Sequence, residues 1–123
     1  MIHLDTNFLI QVLLPGSAAE IKLQTWLRAG EDVGISTIAW SEFLCGPLTS
    51  RDESLARTLL VTLESFLAAD AHKAAELFNA TGRRSRSLAD CQIAAVALRA
   101  GAHLATDNAS DFSLFKSHGL VLV

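Results

Sequence analysis

Residues 1–14, Met1-Ile2-His3-Leu4-Asp5-Thr6-Asn7-Phe8-Leu9-Ile10-Gln11-Val12-Leu13-Leu14, hold a short apolar run from Ile2 to Leu4, then an acid, then a helix-like stretch from Phe8 to Leu14. A strand passing straight into a helix is the opening of an α/β unit, and Asp5 sits at the junction. Strand-like runs recur at Val33 to Ser36, His103 to Ala105 and Leu120 to Val123, each short and apolar on both faces. Such runs suit a buried parallel sheet rather than a half-solvated antiparallel one.

Helix patterns fill the intervals. Phe8 to Leu14 is stopped by Pro15 and Gly16, Ala18 to Ala29 by Gly30, and Ile38 to Cys45 by Gly46 and Pro47. Arg51 to about Leu67 reads as a helix opened by a Ser50–Glu53 capping box, and Ala71 to Thr81 as one capped by Asp70 and ended by Gly82. A last long helix starts at Ser87 and ends before Gly101; the stretch Ser65 to Ala68 leaves a further strand open, because the apolar run continues the preceding helix. No internal repeat, low-complexity tract or linker divides the 123 residues, so one α/β domain spanning 1–123 is expected, a short central parallel sheet flanked by helices.

Acids fall at corresponding places along this alternation. Besides Asp5 there are Glu42 inside the third helix, Asp90 near the head of the Ala-rich helix, and Asp107 with Asp111 after the run His103 to Ala105. In an open α/β sheet ligands bind outside the carboxyl ends of the strands, where acids from distant parts of the chain converge, and clustered carboxylates repel unless a cation joins them. Each acid also has a plain structural reading. Asp5 can cap the first helix, Asp90 sits at the third position of a Ser87-Leu88-Ala89-Asp90 capping box, Glu42 shares a polar helix edge with Ser41, and one of Asp107 and Asp111 caps a short helix. Asp90, however, shares its helix face with Ile93, Ala94 and Ala97, and an acid on an apolar face needs a cation or several donors.

Composition narrows the remaining chemistry. Cys45 and Cys91 lie far apart without a Cys-x-x-Cys pattern and read as buried thiols; the four histidines, His3, His72, His103 and His118, lack the i, i+4 spacing that grips a transition metal. No segment approaches the roughly 18 apolar residues of a membrane span, and no basic stretch leads into a signal core, so the chain reads as cytoplasmic. The net charge is −3, but setting aside Asp5, Glu42, Asp90 and Asp111 leaves nine acids against ten Lys and Arg, and Arg83, Arg84 and Arg86 crowd just ahead of Asp90. That cluster suits phosphate groups, or equally a solvated loop. With half the residues apolar and a mean hydropathy of +0.34, the chain carries apolar surface beyond the needs of one small core, which points to a partner. Helices carrying Trp26, Trp40 and Phe43 offer side chains suited to anchoring it.

Taken together, Asp5-Thr6-Asn7, Ser36 with Glu42, Leu88-Ala89-Asp90 followed by Ile93-Ala94-Ala95, and Thr106-x-Asn108-x-x-Asp111-Phe112 resemble the PIN-domain ribonucleases, and more narrowly the VapC-type toxins of bacterial toxin-antitoxin pairs. The resemblance runs along the whole chain in order, with a departure at Gly46-Pro47-Leu48, where the family often continues in helix and loop. It implies a PIN-like three-layer sandwich, an RNA substrate, Mg2+ or Mn2+ as cofactor, a homodimer and a cognate small antitoxin. By position, Asp5, Glu42, Asp90 and Asp111 form the acidic quartet, Asp107 is an additional or substitute acid, and Thr6, Ser36 and Asn108 support the carboxylates. Hard divalent ions prefer such oxygen donors. Two other classes compete: a catalytically silent PIN-like interaction module, and a receiver-type signalling domain, which would place an aspartate at the end of a mid-chain strand, where Asp52 and Glu53 instead open a helix.

Overall fold

The computed structural model describes residues 1–84 and 87–123. Four strands, β1 (Ile2–Leu4), β2 (Val33–Ser36), β3 (Thr62–Glu64) and β4 (His103–Ala105), form one sheet in the order β3-β2-β1-β4, every pair parallel. Around it lie α1 (Thr6–Val12), α2 (Ala18–Arg28), α3 (Thr37–Leu44), α4 (Ser50–Leu59), α5 (Ala68–Ala80), α6 (Leu88–Ala100) and α7 (Ala109–Phe112), with a 3-10 turn over Ser113–His118. This is the α/β sandwich with a short central parallel sheet that the alternation of patterns leads one to expect. The strand order differs from the central-strand arrangement on which a receiver domain is built, and removes that reading.

The strands are buried end to end where they cross the middle of the molecule: Leu4, Val33, Ile35, Leu104 and Ala105 are wholly enclosed, with Phe8, Leu9, Leu77 and the small residues Ala94 to Ala97 packed over them. The alanine run of α6 lets that helix lie close to the sheet. Gly34 is required by close approach rather than by a turn, since a Cβ there would collide with the Thr62 hydroxyl on the neighbouring strand.

Several local expectations are corrected. The helix expected from Arg51 to about Leu67 ends at Leu59, and β3 follows at Thr62–Glu64, with the Val61 N–H just ahead of it donating to Val33 O at 2.8 Å. Propensity does not separate the two states here; pairing with β2 does. The cap of α4 is Thr49, whose hydroxyl accepts from Asp52 N, in place of the Ser50–Glu53 box. Helix α5 starts three residues earlier than read, so Asp70 stands inside its first turn, accepting from Leu67 N at 2.8 Å. Leu120 to Val123 contributes one bridge, Leu104 to Leu122, not a strand. Trp26 and Trp40 turn inward, Trp26 stacked on Phe8 at 5.7 Å and Trp40 against Phe43 at 5.2 Å, with Phe43 itself buried. The apolar excess appears instead at Ile10, Leu14, Ile21 and Leu44, all exposed.

Candidate active site

Because all strands are parallel, their carboxyl ends share one edge of the sheet. The chain builds outward from β1 to β3 and then returns to lay β4 on the other side of β1, so the crevice between β1 and β4 is the topological switch point, where sheets of this kind take ligands. Asp5 leaves β1 at this point and Thr106 leaves β4. Asp5 Oδ1 accepts from Phe8 N at 2.7 Å, capping α1, and its Oδ2 accepts from the Thr106 hydroxyl. Thr106 Oγ1 accepts in turn from Asn108 N at 2.9 Å, so a single hydroxyl ties Asp5 to the turn after β4. The capping reading of Asp5 and the ligand reading are compatible: two accepted bonds leave a carboxylate with free lone pairs.

The other acids arrive on helices. Glu42 Oε1 accepts from Thr6 Oγ1 at 2.8 Å, joining α3 to the first residue of α1. Asp111, on α7, accepts from Asn108 Nδ2. Asp90 sits in the first turn of α6 without the capping box expected of it, because the Ser87 hydroxyl donates backward to Arg84 O at 2.7 Å and makes no cap bond. Asp5, Thr6, Glu42, Asp90, Asn108 and Asp111 line one pocket of about 110 Å3 floored by Ile93 and Phe112, and none of its described lining residues is Lys or Arg. Asp107 does not line the pocket, though its charge acts on Asp5.

The cost of this arrangement shows in the acidities. Burial, then Asp111, Glu42 and Asp5 in that order, push Asp90 up to about 6. Asp5 is also raised, chiefly by burial; the bonds from Thr106 and Phe8 oppose the shift, while Asp107 and Glu42 add to it. Like charges in a partly dry pocket disfavour one another's ionised form, and a bound cation is what relieves that. The donors are all oxygen, with no His or Cys among the lining residues, which matches Mg2+ or Mn2+ better than a softer metal. Among the described residues, though, no three His, Cys, Asp or Glu side chains close into a group that could hold an ion by themselves. The carboxylates surround a space without forming a finished coordination shell, and Mg2+ commonly completes its shell with water.

Ser36, grouped with the supporting residues from the sequence, is buried and caps α3, its Oγ accepting from Ala39 N at 3.1 Å, so it acts on Glu42 only by setting the helix that carries it. Arg83 and Arg84 are exposed, Arg83 with a left-handed φ of 57°, and Arg84 lines a second cleft that shares Asp90 and Asp111 with the acid pocket. Arg86 lies outside the described residues. Cys91 is buried with its thiol pKa pushed up by burial, whereas Cys45, also expected inside, is exposed. His3 is buried in β1, and its pKa is lowered chiefly by burial. Thr106 went unnoticed as a site residue even though it begins the Thr106-x-Asn108-x-x-Asp111 stretch; only the pairing of β1 with β4 brings its hydroxyl to Asp5.

The profile described as "PIN domain" matches residues 2–115. No curated protein matches the chain by sequence. Among solved structures, VapBC2 from Rickettsia felis, crystallised with a DNA fragment of its promoter, superposes with a TM-score of 0.77 at 21% identity, covering 100% of this chain and 98% of the other. A toxin-antitoxin complex from Klebsiella pneumoniae gives 0.74 at 25% identity over 92% and 91% of the two chains. FitAcB from Neisseria gonorrhoeae gives 0.72 at 22% identity over 99% and 96%.

Proposed function

The chain belongs to the PIN domain family, and from that premise we propose that it is a divalent-metal-dependent ribonuclease acting as the VapC-type toxin of a toxin-antitoxin pair. The observation that carries the reading is the pocket at the switch point: four carboxylates from four separate elements, no basic residue among its described lining, and Asp90 held near a pKa of about 6 by its neighbours and by burial. Asp5 and Asp90 would hold the ion directly, with Glu42 and Asp111 completing its surroundings. When bound, Mg2+ or Mn2+ supplies charge stabilisation at the attacked phosphate and a nucleophilic water near neutral pH.

The chain's own groups then have distinct tasks. Thr106 and the Phe8 N–H fix the Asp5 carboxylate toward the pocket, Thr6 fixes Glu42, and Asn108 fixes Asp111. Glu42 or Asp111 orients the attacking water. Since water attacks phosphorus, the ribose 2′-hydroxyl has no obligatory role, and RNA as substrate rests on the family rather than on that chemistry. No helix among the described residues is long and apolar enough to cross a membrane; a nuclease acting on cellular RNA would work in the cytoplasm.

The antitoxin half of the proposal draws on the solved structure from Klebsiella pneumoniae, which is a toxin-antitoxin complex. An apolar groove of about 200 Å3 formed by Ile10, Leu13, Leu14, Phe43, Pro47 and Leu48, with Asp52 at its wall, begins one turn along α1 from Thr6 and takes in Phe43, the residue after Glu42 on α3. An antitoxin arm seated there would bring an Arg or Lys within reach of the carboxylates, where it would compete with the metal. Exposed apolar residues elsewhere support self-association; sedimentation should report a homodimer, and a single 13.2 kDa species at micromolar concentration would exclude it.

A PIN-like module that binds without cleaving is favoured by one fact, the absence of a closed ion-holding group among the described residues. Calorimetric titration separates the two. Mg2+ or Mn2+ binding that is lost in Asp5→Asn, together with metal-dependent cleavage of total cellular RNA by the purified chain, supports the nuclease; binding of neither metal and no cleavage would reject it.

A further inference from the structure

We infer that the cleft beside the acid pocket is a nucleobase subsite, which selects the nucleotide flanking the scissile phosphate and prefers a base bearing an exocyclic amino group. This rests on the nuclease reading for the position of the scissile phosphate. The cleft, of about 330 Å3, is large enough for a drug-sized planar group and lies between the end of α5, the start of α6, α7 and the 3-10 turn. It shares Asp90 and Asp111 with the acid pocket, so the two are contiguous and a nucleotide next to a phosphate held at the carboxylates has this cleft beside it.

Its walls are unlike those of the acid pocket. Leu114, 49% exposed, and the buried Phe115 both line the cleft, and Leu114 offers the apolar surface on which an unpaired base can lie. Arg84 is exposed at the cleft, where a guanidinium meets the adjoining phosphate. The three hydroxyls of the described lining are already committed as donors inside the protein: Thr81 Oγ1 to Leu77 O at 2.7 Å, Ser87 Oγ to Arg84 O at 2.7 Å, and Ser110 Oγ to Asn108 Oδ1 at 3.2 Å. Each hydroxyl has one proton, so what remains for a ligand is lone pairs. A wall of acceptors receives the amino groups of adenine, cytosine or guanine and disfavours uracil, whose edge is dominated by carbonyl oxygens. Neither Leu114, Arg84 nor any of these three hydroxyl residues lines the acid pocket.

The test uses short single-stranded RNAs of known cleavage point and the full-length protein with Mn2+. Replacing the nucleotide on the cleft side of the cut with an abasic residue should lower kcat/KM roughly tenfold, the scale of losing one buried contact, and uracil there should be the poorest base. Leu114→Trp, which fills the cleft, should remove the abasic penalty. Equal rates for abasic, uracil and amino-bearing substrates on both sides of the cut would overturn the inference while leaving the nuclease reading intact. A second arm needs no cleavage: RNA carrying 6-thioguanosine, which keeps the exocyclic amino group, is photo-crosslinked to Asp5→Asn protein and the modified peptide identified. Crosslinks on the segment bearing Leu114 support the subsite even if the wild type proves inactive, which would sink the nuclease reading alone; crosslinks confined to other segments, or none, overturn the subsite.

Discussion

Two groups of acids stand on this small molecule, and the protein treats them in opposite ways. At the β3 edge of the sheet Arg99, near the end of α6, donates from Nε to Asp70 Oδ1 at 2.8 Å, from Nη1 to Glu64 Oε1 at 3.0 Å and from Nη2 to Ser65 O at 2.9 Å. Asp70 is 1% exposed and accepts from Leu67 N as well, so both its oxygens are satisfied by the protein. At the other end of the same helix Asp90 faces Asp111, Glu42 and Asp5; Thr106, Thr6 and Asn108 hold these carboxylates by hydrogen bonds, and the described lining of the pocket holds no cation to neutralise them. A fold that provides a guanidinium for one set of acids and leaves the other set repelling has kept the second for something that comes from outside.

Removing the carboxylate charge tests that difference most severely. Asp5→Asn and Asp90→Asn should each lower metal-dependent RNA cleavage by about a thousandfold or more, since both the ion and its placement are lost. The folded chain should keep or slightly raise its melting temperature, because repulsion is relieved. Full activity of either variant at matched Mg2+ would remove it from the site.

At the neutralised cluster the same kind of change should act on stability instead. Asp70→Ala deletes the partner of Arg99 and the acceptor for Leu67 N, and should cost roughly 2 kcal/mol in denaturant unfolding while leaving the catalytic rate of the folded fraction unchanged. If Asp70→Ala reduced turnover as strongly as Asp90→Asn at equal folded fraction, the two clusters would not be functionally distinct.

The pH dependence carries a sign that the comparison determines. Asp90 has a folded pKa of about 6 against an ordinary 3.8, so the folded state binds its proton more tightly than the unfolded one. The resulting stability is fully present below about pH 3.8 and is lost as pH rises through about 6, by something on the order of 1 kcal/mol once the partial exposure of the group is allowed for. Without divalent metal the melting temperature should therefore fall by a few degrees between pH 5 and 7, less so in Asp90→Asn, and added Mg2+ should restore more stability at pH 7 than at pH 5. A metal effect of equal size at both pH values would break the link between Asp90 and the ion.

The smallest effect is expected from the arginines ahead of α6. Replacing Arg83, Arg84 and Arg86 by Gln should weaken RNA binding across sequences and flatten the slope of log affinity against log salt by up to about 2, at roughly 0.7 per phosphate contact on a single strand. An unchanged slope would return them to a solvated loop.

Much of the site was legible in the chain because its signals are local. Asp5 at a strand end, Asp90 on a face shared with Ile93, Ala94 and Ala97, and the Asn108–Asp111 turn can each be picked out by counting along the backbone. The expected cap of Asp90 failed for an equally local reason: the Ser87 hydroxyl turns back to Arg84 O, a choice between two nearby backbone partners that residue type does not settle. The large aromatic side chains misled in the opposite sense, since a Trp on an amphipathic helix reads the same whether its ring meets a partner or, like Trp26, stacks on Phe8.

By itself the sequence determined the alternation of strand and helix, the parallel character of the sheet, and which acids belong to which elements, because hydrophobic period, helix stops and residue type act within a few neighbours of each other. Tertiary structure alone decided what depends on residues far apart in the chain. The run after Leu59 became strand β3 because β2 offered it a pairing edge, Thr106 became the holder of Asp5 because β4 lies beside β1, and Asp111 rather than Asp107 came to line the pocket because α7 turns it inward. It also decided which acids Arg99 would neutralise: sequence shows seven arginines and thirteen acids, but only packing gives one guanidinium to Asp70 and Glu64 and leaves the described lining of the switch-point pocket without any. Charge compensation acts over a few ångströms in space and not along the chain.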